Sequence, residues 1–70
     1  MKQILIQIAN ILWTLPDMNR DLVIAIINPL DTETQAMKML EYLQENKNNE
    51  ESMRIDNLLK VRRRIAEENL

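Results

Sequence analysis

The side chains that carry most biological chemistry are scarce in this 70-residue sequence. Histidine and cysteine are absent, which removes the commonest general base, the thiol nucleophile, imidazole and thiolate metal ligands, and any disulfide. Glycine is absent too, so the tight turns that cradle phosphates in P-loop and dinucleotide sites cannot form. The one serine, Ser52, falls near an expected helix start, where capping accounts for it. Carboxylates are plentiful, but Glu41, Glu45, Glu67 and Glu68 lie off the apolar stripes of their helices, so no inward-facing metal cluster is expected. Neither a catalytic residue, a metal nor a cofactor is expected.

One charge cluster remains, Lys60-Val61-Arg62-Arg63-Arg64. On a helix its members diverge. Lys60, Arg64 and Glu67 share one exposed side, and Arg63 lies toward Asp56 and Glu67. Lys60, Arg63 and Arg64 are the candidate contacts to nucleic acid, yet Glu67 and Glu68 follow at once and dilute the field. Single-strand binders interleave cations with aromatic rings, and here the aromatics are one tryptophan and one tyrosine. A solvated face with i, i+3 and i, i+4 ion pairs ranks first. Arg62 is different, because it falls within the stripe Ile55, Leu58, Leu59, Ile65, Ala66. Ile55, Leu58, Arg62, Ile65 and Asn69 also read as a short heptad seam with arginine at an a position. Its stem can lie on apolar surface while its head reaches water or an acid of the third helix or of another subunit. Arg62 is therefore a candidate for setting orientation or partner choice.

The elements that hold these residues read as helices. Two prolines and no glycine leave little for hairpin turns, and Met, Leu, Glu, Gln, Lys and Arg favour helix. The β-branched run Ile4-Leu5-Ile6-Gln7-Ile8 is the one strand candidate. Gln3, Gln7, Asn10 and Thr14, however, follow i, i+4, i+7, i+11 and form a single stripe only on a helix. Pro16 ends the first helix at about residues 2–14. A second follows at about 17–28, capped by Asp17 or Thr14 and stopped before Pro29. A third runs from about 32 to 45, with Thr32 and Gln35 at capping-box spacing. A fourth spans about 50–68. Ala36, Met39, Leu40 and Leu43 form one stripe, and Ile55, Leu58, Leu59 and Ile65 form another. In one continuous helix the two would sit roughly 90° apart at 100° per residue. A turn on the asparagines of residues 46–49, using their tolerance of left-handed geometry, lets both stripes meet one core. The expected fold is all-α: one domain, a small bundle of four helices whose last two form an αα-hairpin.

Apolar residues are distributed unevenly over this plan. The first thirty residues hold eighteen of them and the other forty hold fourteen. Charge follows: residues 1–30 sum to zero, 31–50 to −3 and 51–70 to +1, giving the overall −2. The third helix has the usual single stripe and wide polar face. The first two are apolar in nearly every direction, and below roughly 70–80 residues a lone core seldom supplies more than about 3–5 kcal/mol. Ile6, Trp13, Val23, Ile24 and Ile27 are thus the expected oligomer interface. A homo-oligomer, most simply a dimer built from residues 1–30, ranks above a fully packed monomer, with the charged hairpin 31–70 left for another protein.

A membrane ranks lower. No stretch approaches the roughly 18 apolar residues of a span, and the stripe of the first helix lacks the cations of a surface-lying one. Lys2 ahead of an apolar run also raises a signal peptide, but Gln7 and Asn10 interrupt the run and no small-x-small site follows. The lack of cysteine fits a cytoplasmic protein. The function expected is a small non-enzymatic interaction or regulatory module, with a dimeric nucleic-acid-binding regulator as the alternative.

Overall fold

The computed structural model describes residues 1–68, and the seam position Asn69 lies outside them. Four helices and no strand occur among the described residues: α1 (Lys2–Leu12), α2 (Arg20–Ile27), α3 (Glu33–Asn46) and α4 (Ile55–Glu67). The last two form the expected αα-hairpin. α1 packs on α2 and α3, and α4 packs on α3 and α2. Each helix therefore has two principal neighbours around a common core.

That core forms one cluster drawn from all four helices. Ile8 and Leu12 enter from α1, Val23 and Ile26 from α2, and Leu58, Val61 and Ile65 from α4. The stripe Ala36, Met39, Leu40 and Leu43 is wholly buried, as its spacing requires. The polar stripe Gln3, Gln7, Asn10 and Thr14 is wholly exposed. Burying an Ile or Leu side chain contributes about 1.5–3 kcal/mol, and six large side chains here are fully enclosed.

The helix ends depart from expectation at three places. Thr14 does not continue α1: its hydroxyl donates to the Ile11 carbonyl at 2.6 Å, and the Thr14 and Leu15 amides donate to the carbonyls of Ile11 and Leu12 in tightening turns. Asn19, not Asp17 or Thr14, caps α2; its Oδ1 accepts from the Leu22 amide at 3.0 Å. The intervening residues are held by the Met18 amide on the Leu15 carbonyl, so α2 begins three residues later than predicted. α4 begins at Ile55, not near 50, and its N-cap is Arg54, with no side-chain cap bond.

Residues 47–54 instead form a structured turn. No described residue has positive φ, so the asparagines act through their side chains and not through left-handed backbone. Asn46 Nδ2 donates to the Tyr42 carbonyl at 2.8 Å, and Asn49 Oδ1 accepts from the Ser52 amide at 3.0 Å. Ser52 caps no helix. Its carbonyl accepts from the Tyr42 hydroxyl at 3.2 Å and from Asn57 Nδ2 at 2.8 Å, and Asn57 Nδ2 also reaches the Tyr42 oxygen at 2.6 Å. This node ties α3, the turn and α4 together. The α3 start is as predicted: Thr32 Oγ1 accepts from the Gln35 amide at 3.1 Å, and Gln35 Oε1 accepts from the amides of Thr32 and Asp31. Gln35 is buried, and its two accepted hydrogen bonds satisfy the enclosed oxygen.

Candidate functional site

With two neighbours apiece, α1 and α2 are better covered than their composition suggests. Ile4, Leu5, Ile11 and Leu15 pack against the core as partly buried residues, as do Ile27 and Met18. Val23 faces inward at 7% exposure and packs within its own chain. Three of the five expected interface residues stay at the surface: Ile6 at 49%, Trp13 at 52% and Ile24 at 49% exposure. Ile6 and Trp13 are seven residues apart and stack on one line of α1, beside the uncharged stripe. Ile24 occupies the outward side of α2, which packs on α1. The apolar surface of the N-terminal helices is thus smaller than the sequence implies, and apart from the N-cap Met1 its large exposed side chains are these three.

The basic run is drawn apart by the helix. Arg63 Nε pairs with Glu67 at 3.2 Å, one turn on, and both groups are exposed. Arg64 lines a shallow groove between α3 and α4 with Lys38, Glu41, Glu45 and Glu68. Lys38 Nζ meets Glu68 there at 3.2 Å. Lys60 is exposed. The cations are therefore interleaved with carboxylates, and a polyanion would meet both signs.

Arg62 does not occupy the middle of its stripe. The buried side of α4 is centred on Leu58, Val61 and Ile65, with Ile55, Leu59 and Arg62 half-buried on the flank. Val61 joins the core with Leu58 and Ile65 at i, i+3, i+7 spacing, and it shares a groove with residues of α3. Arg62 Nε is enclosed without a hydrogen-bond partner among the described residues. No acid of α3 reaches it. Enclosing a donor of a charged group without an acceptor costs stability.

A feature with no periodic signal in the sequence lies at one end of the bundle. Leu15, Pro16 and Asp17, which follow α1, face residues of the α3–α4 turn and the first turn of α4 across a cleft of about 560 Å³. Leu15, Pro16, Met53 and Ile55 supply its apolar lining. Asp17, Glu50 and Asp56 bring carboxylates, and Lys47 and Arg54 bring cations. None of these five charged groups makes an ion pair or a side-chain hydrogen bond among the described residues. The size falls within the roughly 300–1,000 Å³ of small-ligand and anchor pockets. The two walls are some thirty residues apart in the chain, so only the fold brings them together.

Among the described residues no three carboxylates are grouped to hold a metal ion, and no helix is long and apolar enough to cross a membrane. No protein-family model, curated protein or solved structure matches this chain.

Proposed function

We propose that this protein is a small, non-enzymatic helical interaction module that works as a homo-oligomer, most simply a dimer, and uses its charged hairpin to engage another protein. The single observation that carries the proposal is the placement of Ile6, Trp13 and Ile24, each about half exposed, on or at the end of two mutually packed helices whose charged residues are Lys2, Arg20 and Asp21. Scattered surface apolar residues need no explanation. Three large ones on two adjacent helices, beside an uncharged amide stripe, favour a protein partner, because few charges lie near them: Lys2 one turn from Ile6, and Arg20 and Asp21, of opposite sign, one turn from Ile24. Tryptophan is among the residues that most often anchor such interfaces. A second copy offers the same charge-poor surface and suits a self-complementary contact. A standard interface takes about 800 Å² from each partner, roughly a sixth of the 4877 Å² accessible here. The cysteine-free composition accords with the cytoplasmic setting that this proposal assumes.

Sedimentation across micromolar concentrations tests the proposal. A concentration-dependent dimer that Ile24→Glu converts to a folded monomer supports it, and a single-chain mass throughout overturns it. The nucleic-acid alternative ranks second because Glu67, Glu68 and the α3 acids accompany the cations. It predicts binding that falls steeply with salt and is lost with Arg63→Glu plus Arg64→Glu. Binding that survives both changes counts against it.

A further inference from the structure

We propose that Trp13 is the anchor of the self-association described above and that the cleft at the end of the bundle, on a second copy of the chain, is its socket. The inference rests on that self-association and adds how it is built. A two-fold interface must carry a projecting group and its recess on the same surface, so that each copy fills the other. Trp13 has the highest fractional exposure of the large apolar side chains among the described residues. The cleft begins two residues further on, at Leu15, and Asp17 closes that wall. The main chain between Trp13 and Asp17 spans no more than about 14 Å. Anchor and recess therefore belong to one end of the molecule, and a two-fold axis between them would exchange the two rings.

The cleft has the chemistry an indole requires. Its apolar lining of Leu15, Pro16, Met53 and Ile55 takes the ring. An indole carries one N–H donor and no acceptor, and when buried that N–H seeks an oxygen. Asp17, Glu50 and Asp56 present carboxylate oxygens with no other side-chain partner among the described residues. Lys47 and Arg54 add cations within the same cleft, suited to the face of the ring. Within its own chain Trp13 does not line this cleft.

Trp13 is the sole tryptophan, so its fluorescence reports directly on the anchor. The full chain is examined by sedimentation, by tryptophan emission and by acrylamide quenching across the same concentration range. Two exposed positions supply variants, Trp13→Ala at the anchor and Asn48→Arg as a plug beside the socket. Circular dichroism establishes that each variant keeps its helix content. The expected result is a dimer whose emission moves to the blue and whose quenching falls as it assembles. Trp13→Ala should raise the dissociation constant by roughly thirty-fold or more, the effect of losing an interface anchor. Asn48→Arg should raise it by roughly ten-fold and leave Trp13 in water at concentrations where the parent is paired. A dimer in which Trp13 stays open to acrylamide overturns the anchor while leaving self-association intact. A dimer with Trp13 shielded but indifferent to Asn48→Arg overturns the cleft as the socket. A chain that remains single throughout overturns both proposals.

Discussion

On the outward side of the α3–α4 hairpin, opposite charges meet: Lys38 reaches Glu68 across the two helices and Arg63 reaches Glu67 along one. On the outward side of α1 and α2 there is no ion pair among the described residues; Ile6 and Trp13 stand half-exposed beside glutamine and asparagine, and Ile24 stands one turn from Arg20 and Asp21. Both halves give their inward stripes to the same core. They differ in what they offer to the outside. Among the described residues the hairpin offers paired charges with one large exposed apolar side chain, Met37, whereas the N-terminal pair offers Ile6, Trp13 and Ile24 with few charges. The energetic weight of a position should follow that division.

The largest effect should fall in the shared core. Leu43→Ala removes a fully enclosed side chain and should cost about 2–5 kcal/mol. That is comparable to the whole stability of a domain this size, so thermal denaturation should show a largely unfolded chain. An ordinary melting transition near that of the parent would show that α3 is not central. Ile24→Glu sharpens the contrast, since the side chain is half outside. It should change the stability of the single chain by no more than about 0.5 kcal/mol, the usual range for surface positions, and act on association. Unfolding by this variant would mean that the α2 surface belongs to the core.

Arg62→Met tests the flank between the two regions. Replacing a half-buried guanidinium that has an unpartnered Nε with an apolar chain should raise stability by about 1 kcal/mol. Denaturant midpoints measure it, and a loss of stability would show that the head has a partner in solution. Thr32→Ala should cost about 1 kcal/mol by removing the hydroxyl that accepts from the Gln35 amide. Amide exchange in the first turn of α3 should rise with it, and unchanged exchange there would contradict the capping box. Among the changes that break a contact within one chain, the smallest effect belongs to Glu68→Gln. It breaks a solvent-exposed pair with Lys38 and should cost about 0.2–1 kcal/mol, fading as salt rises. A loss independent of salt would mean that the pair is more enclosed than its geometry shows.

What could be read from the sequence was whatever one helix decides alone. The stripes of α1 and α3 and the Thr32–Gln35 capping box depend on spacing within a few turns, and each stands in the structure as predicted. Misplaced features depended on two elements at once. Asn19 and Asp17 are equally good caps by residue type, and the turns at residues 14–18 decide between them. The late start of α4 follows from Tyr42 and Asn57 both seizing the Ser52 carbonyl, bonds that cross from helix to turn. Leu58, Val61 and Ile65 also stand at i, i+3, i+7, so α4 offered two overlapping stripes, and only packing selects the one with Val61 over the one with Leu59 and Arg62. Part of the N-terminal apolar surface was likewise absorbed by packing, Val23 included, leaving three exposed side chains of the expected five. The end cleft was illegible because its walls are distant in sequence.

The central proposal is that the charge-poor apolar surface of α1 and α2 is covered by a second copy. The most direct test is the mass of the purified chain by light scattering as concentration rises from low micromolar. Self-association predicts a rise toward twice the 8.3 kDa of one chain, reversed by Ile24→Glu with helix content retained. A mass fixed at that of one folded chain over the whole range would contradict it.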